Sequence, residues 1–465
     1  MTRIMTGKWS ALLALNLLAG GCSGFLTGPA LTDDPNNPIN ASISQLLTAV
    51  QAAQFLQQES QLARLAAMYT QQLSGTNNQQ QNWGSQYAIG ESDLSGRFSL
   101  NYTGGGLVDL RNIQRLAKGN GDAKTEGIAK VWEAFVIGTA ASIWGDIPYS
   151  EAAGEVTQPK LDPQRDVYAA LQTLLSEAIT LLDGPGLGPG GVDLVYGGNT
   201  ARWKRAASTL KARFHLHTAE QLSTAAYQAA LTAANSGINE APTSATLAAD
   251  GQGPGDFRSY HDNNSDQGNI WSQFLTSRND MTANTVLINI LTARGDPRLA
   301  RYFEPLASGS FVGSDQFGRV PGTGASIVHR TVRLPLNFRQ PLVTWTENQL
   351  ILAEANFRLG NPGAALTNVN AVRQSVGLPA LTSVTLTDIA QEKYVAMFQN
   401  IEVWNDFKRL CYPLLTPGGP NFTPAAEIPG RALYGLAERQ ANPNIKLPAE
   451  QPIRNWNDPA ACPKP

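Results

Sequence analysis

The sequence has few of the side chains that bind metals or bridge small domains. Its 465 residues include three cysteines and four histidines, which excludes a disulfide-dense scaffold and a zinc fold held by several cysteines. Charged residues are also scarce at 15%, and 35 basic side chains stand against 37 acidic ones. Because this balance creates no positive field for a polyanion, we expect no nucleic-acid partner.

Long apolar runs are missing as well. No stretch reaches the ~18 apolar residues that a membrane-spanning helix needs. A shorter apolar run, 11–18, follows two basic residues and leads through two glycines to Cys22, an arrangement similar to a bacterial lipobox. We therefore predict a signal peptide over 1–21, lipid attachment at Cys22 and an extended tether over 22–40. An ordinary secretory signal that is cleaved nearby is the alternative.

What the chain does contain is helical periodicity. Apolar side chains recur at spacings of three and four residues in several segments, as they do at Trp203, Ala207, Leu210 and Phe214. No comparable set of alternating strand patterns occurs. We therefore predict a mainly α fold, with a single domain over 41–465.

One junction between two helices indicates how the helices pair. A helical pattern ends at Gly360, a residue suited to the left-handed position after a helix. Asn361 and Pro362 then suit the N-cap and the first position of the next helix. This is typical of a tetratricopeptide (TPR) unit, although a generic helical hairpin has the same features. The TPR-like pairs are predicted at about 107–143, 164–222 and 344–377, and the long loops between them, 184–199, 237–270 and 304–342, are expected to be functional or disordered.

Motifs that mark common enzyme classes are missing from the sequence. It has no Gly-x-Ser-x-Gly, no phosphate-binding Gly-Lys-Ser/Thr and no His-Glu-x-x-His. We predict no catalytic residue, no metal site and no cofactor. Glu354 and Glu402 could be catalytic or structural, and a salt-bridged helix position is the commoner role. Cys411 and Cys462 could form a disulfide in an oxidising envelope or remain free.

Two loop segments are rich in amides and aromatic rings. Amides both donate and accept hydrogen bonds, as sugar hydroxyls do, and Tyr and Trp rings stack on apolar sugar faces or peptide side chains. The candidate ligand contacts are Asn77, Asn78, Trp83, Tyr87, Tyr102, Tyr260, Asn269 and Trp271. The alternative is that rings such as Trp83 and Trp271 fill the core beneath long loops.

Four segments resemble, in order, those of the SusD/RagB-type nutrient-binding lipoproteins. They are Trp-Gly-Asp-Ile-Pro-Tyr-Ser-Glu-Ala at 144–152, the helix pair at 352–376, an amphipathic segment at 392–409 and a strip at 428–444. The resemblance implies TPR-like helix pairs packed against a loop-rich, irregular part that holds the ligand. Because those loops differ among members, it assigns no ligand role to a motif residue.

The function implied by the resemblance is nutrient capture without catalysis. Such proteins are lipid-anchored on the exposed side of the outer membrane, where they serve a SusC-like TonB-dependent transporter. We expect the ligand to be an oligosaccharide or a peptide, and favour an oligosaccharide. A TPR-type scaffold for envelope proteins is the alternative, and a lipid-anchored glycoside hydrolase is a further one that would need a pair of carboxylates.

Overall fold

The computed structural model describes residues 41–154, 156–243, 252–264 and 267–462. The predicted signal peptide, Cys22 and the tether therefore lie outside the described residues. The chain divides into a unit from Met1 to Gln45 and a unit from Leu46 to Pro465, and the fold below is that of the second unit. None of the helices described is long and apolar enough to cross a bilayer.

The described residues are mainly helical, as predicted. The first ten helices are α1 (Ile43–Glu59), α2 (Gln61–Tyr69), α3 (Asn78–Gln80), α4 (Glu91–Ser99), α5 (Leu107–Gly119), α6 (Ala123–Trp144), α7 (Gln164–Leu181), α8 (Thr200–His217), α9 (Ala219–Leu222) and α10 (Thr224–Ala234). The others are α11 (Ile270–Thr276), α12 (Thr285–Ala293), α13 (Leu299–Tyr302), α14 (Arg330–Arg333), α15 (Trp345–Arg358), α16 (Pro362–Ser375), α17 (Leu386–Ala396), α18 (Glu402–Leu410) and α19 (Leu436–Ala441).

Strands are few and short in this part of the chain. β1 (Leu73–Gly75) pairs antiparallel with β3 (Met281–Ala283), and β2 (Phe257–Arg258) pairs antiparallel with β4 (Pro341–Val343). Each pair joins segments that are far apart in sequence. The strands therefore hold loops together and do not form a sheet core.

The helices pack in succession, as TPR-like pairs do. α5 packs against α6, α6 against α7 and α7 against α8, so the segments predicted as pairs at 107–143 and 164–222 are α5/α6 and α7/α8. The third predicted pair is α15/α16. Its junction is the expected one, because Gly360 has φ 81°, Asn361 is the N-cap and Pro362 is the first helical residue.

One helix of the stack was not predicted from the sequence. α10 contacts both α8 and α15, and so connects the second helix pair to the third. The three helices share a buried cluster of small and aliphatic side chains, Ala212, Leu216, Ala230, Ala234, Ile351 and Leu352. The alanines allow close approach, but they give α10 a weak apolar periodicity.

Aromatic side chains fill the core between the stack and the short strands. Phe257 of β2 lies 5.0 Å from Trp132 of α6 and 5.4 Å from Trp203 of α8, measured between ring centroids. All three side chains are completely buried. Burial of such a ring contributes on the order of 2 kcal/mol, so this cluster fixes β2 against the helices.

Two of the segments that carry the family resemblance form one structural unit. Trp144 ends α6, and its indole N–H donates to the carbonyl oxygen of Leu433 at 2.9 Å. Arg431 donates in return to the carbonyl oxygen of Trp144 at 2.7 Å. Gly145 has φ 82°, and a Cβ there would lie 2.5 Å from the Asn455 side chain. These motif residues therefore hold the fold together and are not exposed to a ligand.

The C-terminal segment is tied to the helical stack. Cys411, which follows α18, and Cys462 form a disulfide whose Cα atoms are 5.3 Å apart. This is one of the two states that the sequence left open.

Candidate functional site

An open cavity of about 450 Å³ lies among the loops. This volume is within the roughly 300–1,000 Å³ range of small-molecule sites. The described lining residues are Thr76, Asn77, Asn279, Met281, Thr282, Glu304, Pro305, Leu306, Val320, Ala325, Ser326, Ile327 and Arg330. They come from three chain segments: the end of β1, the start of β3 and the loop from α13 to α14.

The β1–β3 pair places two amides side by side at one wall of the cavity. Gly75 is the register partner of Met281, so the residues just beyond them also face each other. The amide N–H of Thr76 donates to the carbonyl oxygen of Asp280 at 2.8 Å. The side-chain NH₂ of Asn77 donates to the carbonyl oxygen of Asn279 at 3.1 Å. Asn77 and Asn279 are thus neighbours although 202 positions separate them in sequence.

A long loop forms the rest of the lining and is held in place by backbone hydrogen bonds. Phe303 and Val328 form an isolated antiparallel bridge, and the amide N–H of Glu304 donates to the carbonyl oxygen of Ile327 at 2.9 Å. The carbonyl oxygen of Ser326 accepts from Ala283 of β3 at 2.8 Å. The loop is therefore anchored to the strand pair that carries the two amides.

The charges in the lining compensate each other. A carboxylate oxygen of Glu304 accepts from the backbone N–H of Arg330 at 2.8 Å, and the Arg330 guanidinium lies 3.8 Å from the other oxygen. The cavity wall is consequently close to neutral. Hydrogen-bonding capacity comes from amides and hydroxyls, and apolar surface comes from Leu306 and from Val320, which is 48% exposed.

The two amides keep free hydrogen-bonding groups in the described part of the chain. No partner there bonds the side-chain carbonyl of Asn77 or the side-chain amide of Asn279, and both residues are exposed. These groups can each offer a donor or an acceptor to a polyol. No aromatic side chain belongs to the described lining, so the cavity wall itself offers no ring face for stacking.

The structure places one residue of the first predicted loop cluster (Asn77, Asn78, Trp83, Tyr87 and Tyr102) in the cavity lining. Asn77 lines the cavity, whereas Asn78 is exposed beside it and donates to the Asp280 carboxylate at 2.9 Å. Trp83 is half-buried on a π-helical turn, Gln81–Ser85, and is not in the described lining. Such turns are frequent at functional positions, so Trp83 stays a candidate.

Tyr87 and Tyr102 have structural surroundings. The Tyr87 hydroxyl accepts from the backbone N–H of Gly418 at 2.8 Å, and its ring meets the Tyr69 ring edge-on at 5.4 Å. Burial raises the pKa of Tyr87 to about 12. The Tyr102 ring packs on Phe98 at 5.4 Å, and burial raises its pKa well above the ordinary value. Neither ring lies in the described cavity lining, so ligand contacts of these two residues stay a prediction.

Two residues of the second loop cluster lie in the interior of the described chain. Trp271 is completely buried and offers no ring face to a ligand. Asn269 is also completely buried and caps α11, because its side-chain oxygen accepts from the backbone N–H of Trp271 at 3.0 Å. Tyr260 is 45% exposed, with the Arg339 guanidinium 5.7 Å from its ring, but it is outside the cavity lining.

Several lining residues were not identified from the sequence. Asn279 follows α11 in a short segment without any periodic or motif signal. Glu304, Val320 and Arg330 belong to the 304–342 loop, whose length was a signal of functional or disordered structure. That signal could mark the loop but could not select residues within it.

Comparisons with known proteins are consistent with this architecture. The model of a SusD-like family, described as "Starch-binding associating with outer membrane", matches residues 35–376. No curated protein matches the chain in sequence.

Solved structures show the same fold. A chitin-binding protein is similar with a TM-score of 0.74 and 19% identity, over 90% of this chain and 100% of that chain. A SusD/RagB family protein from Bacteroides thetaiotaomicron has a TM-score of 0.72 and 21% identity, over 91% and 100%. A SusD homolog from Bacteroides uniformis has a TM-score of 0.68 and 17% identity, over 90% and 98%.

Proposed function

Because the chain belongs to the SusD-like family, as the sequence resemblance indicated, we propose that it is a cell-surface lipoprotein that captures an oligosaccharide. In this proposal the signal peptide 1–21 is removed, Cys22 carries the lipid anchor and the ligand passes to a SusC-like TonB-dependent transporter. The family description names starch, and one similar structure is a chitin-binding protein. Both favour a glycan over a peptide.

The observation that carries the proposal is the pair of amides at the cavity wall. Asn77 and Asn279 lie side by side, and each presents free polar atoms to an open space of about 450 Å³. Adjacent sugar hydroxyls both donate and accept hydrogen bonds, so two neighbouring amides suit a diol. Val320 and Leu306 offer apolar contact to the C–H face of the same sugar ring.

The near-neutral lining fits a neutral ligand. A charged group in the cavity would have to compete with the Glu304–Arg330 pair, whereas hydroxyls can bond to either member. Trp83 extends the site in this proposal. An oligosaccharide too long for the cavity would reach the half-buried indole, which can stack on an additional sugar ring.

The proposal describes binding without chemistry. Glycoside hydrolysis generally uses two carboxylates that flank the scissile bond, and the described cavity lining contains one, Glu304. Each hydrogen bond to an uncharged ligand is worth about 1 kcal/mol net. A site with few such bonds releases its ligand readily, as delivery to a transporter requires.

The experiment is calorimetric titration of the purified chain with a panel of neutral oligosaccharides, including α-glucans and chitin oligosaccharides, and with peptides. We expect saturable binding of a neutral oligosaccharide and recovery of that oligosaccharide unchanged after long incubation. If only peptides bind, the ligand is a peptide and not a glycan, and that part of the proposal is wrong. Chromatographic detection of shortened products would show that the protein is an enzyme.

A further inference from the structure

Arg64 of α2 lies close to Arg97 and Arg278, and none of the three forms a salt bridge among the described residues, whereas several buried arginines do. Arg213 and Arg409, for example, each donate to a buried glutamate. Arg64 is only 3% exposed, yet one of its terminal nitrogens donates to a neutral acceptor, the side-chain oxygen of Gln61, at 2.8 Å. Its Nε and its other terminal nitrogen are buried without a partner among the described residues.

The side chains that bond to these arginines are neutral. The side-chain NH₂ of Gln61 is also buried and unpartnered in the described chain. Arg97 donates to the hydroxyl of Ser60 at 2.9 Å, a neutral group. Glu59 lies close in sequence, but one of its carboxylate oxygens accepts from His261 at 2.8 Å, and the other is buried without a partner in the described chain. Neither oxygen therefore bonds to an arginine.

Burial and the neighbouring charges are unfavourable to the positive charge of Arg64. Burial, followed by the nearby guanidiniums of Arg97 and Arg278, lowers the pKa of Arg64 to about 9. Arg64 stacks on the Phe274 ring with 3.5 Å between the guanidinium carbon and the ring centroid. The Arg278 guanidinium approaches the same ring at 5.1 Å. A ring face stabilises a cation, but it accepts none of the N–H bonds in the guanidinium plane.

An uncompensated buried charge lowers the stability of the folded state, and so does a buried donor without an acceptor. A water molecule would accept the hydrogen bonds but would leave three positive charges together. An anion with several oxygens would accept from the free N–H groups and neutralise the charge, because guanidinium geometry matches carboxylate and sulfate groups.

We infer that Arg64, Arg97 and Arg278, together with Gln61, form a binding site for an oxyanion, either a carboxylate or a sulfate group. Arg278 is exposed and directly precedes Asn279, which lines the cavity. The cluster therefore extends from the buried Arg64 to the surface beside that cavity.

The oxyanion has two possible sources. It can be a free inorganic anion, and this version is independent of the proposed function. It can also be an acidic substituent of a glycan held in the cavity, and this version rests on the proposed function.

The first arm of the test follows thermal unfolding of the whole chain in sodium sulfate and in sodium chloride at equal ionic strength. A ligand that binds only the folded state raises the unfolding temperature with its concentration. We expect sulfate to raise the midpoint of the unaltered chain more than chloride does. Arg64→Met should abolish the difference and Arg278→Met should reduce it. Arg165→Met, which alters an exposed arginine of α7, should leave it unchanged.

The second arm separates the two sources by calorimetry with oligosaccharides that differ only in a uronate or sulfate group. If the source is a glycan, Arg278→Met weakens binding of the acidic form several-fold and leaves the neutral form unchanged. If the source is a free ion, sulfate stabilises the protein and both oligosaccharides bind equally. Asn279→Ala, which should weaken both forms, reports separately on the proposed function.

Two results together would overturn the inference. Sulfate and chloride would raise the unfolding midpoint of the unaltered chain equally, and acidic and neutral oligosaccharides would bind with equal affinity. Arg64→Met removes the unpaired buried charge, so it should fold at least as well as the unaltered chain without sulfate. If it does not fold, the exposed Arg278→Met variant still decides the outcome.

Discussion

At the scale of single residues, the same amide side chain has opposite roles in two places. Asn77 is exposed at the cavity, whereas Asn269 is completely buried and caps a helix. The sequence predicts the hydrogen-bonding chemistry of both residues. It does not predict their burial, because the partner of Asn77 lies 202 positions away and only the folded chain brings them together.

Asn269→Ala should therefore affect stability and not ligand binding. The change removes the cap of α11 and the bond that Asn269 donates to the carbonyl oxygen of Arg333 at 3.0 Å. We expect a loss of about 1–3 kcal/mol of unfolding free energy, measured by chemical denaturation. Oligosaccharide affinity should stay the same, and a loss of affinity at unchanged stability would return Asn269 to the ligand site.

Trp83→Ala tests whether the half-buried indole extends the site. Stacking of a sugar ring on an indole should contribute about 1 kcal/mol, or roughly fivefold in affinity. We expect this loss for long oligosaccharides and no loss for those that the cavity holds completely. Calorimetry over a series of chain lengths makes the comparison, and equal affinities at every length would remove Trp83 from the site.

At the scale of helices and strands, local sequence signals were sufficient for some elements only. The Gly360–Asn361–Pro362 junction was predicted, because each of these residues has its own backbone preference. The strand pair β1–β3 was not predicted, since three-residue strands have no periodicity to recognise. That pair builds the cavity wall, so the least predictable elements are those that position the site.

Buried ion pairs join the third helix pair to the helices that follow it. Glu354 of α15 accepts from Lys393 of α17 at 3.0 Å and from Arg409 of α18 at 2.7 Å. Asp406 accepts from both cations at 2.8 Å. All four side chains are buried. Glu354, which the sequence left as catalytic or structural, thus has a structural role in the described chain.

This network predicts how stability depends on pH. Burial alone would raise the pKa of Glu354, but Arg409 and Lys393 outweigh it, so the pKa lies below the ordinary range. A carboxyl with a lowered pKa stabilises the fold above its unfolded pKa, about 4.3, and this contribution is lost as the pH falls further. Glu354→Gln should cost about 3–5 kcal/mol near pH 7 because it leaves two buried cations to share the Asp406 carboxylate.

Denaturation series between neutral and acidic pH measure this dependence. The difference between Glu354→Gln and the unaltered chain should shrink as the pH falls below about 4.3. Glu177→Gln is the control, since Glu177 is 53% exposed in its pair with Lys130 and should cost less than about 1 kcal/mol. A similar loss in both variants would contradict a stabilising network at Glu354.

At the scale of the whole molecule, the fold was more predictable than the site. Segments spread from 144 to 444 carried the family resemblance, and the structure shows why they are informative. Trp144 and Arg431 each donate a hydrogen bond to the other's segment, so these motif residues determine how the fold packs. The cavity is built from loop residues outside those motifs, and its ligand contacts could not be inferred from them.

In the proposed function, the cavity lined by Asn77 and Asn279 binds a neutral oligosaccharide. The most direct measurement is calorimetric titration of that oligosaccharide into the unaltered chain, the double variant Asn77→Ala/Asn279→Ala and the control Asn120→Ala, which alters an exposed amide outside the described lining. We expect the double variant to bind roughly tenfold or more weakly, with the control unchanged. Equal affinity in all three proteins would contradict ligand binding at Asn77 and Asn279.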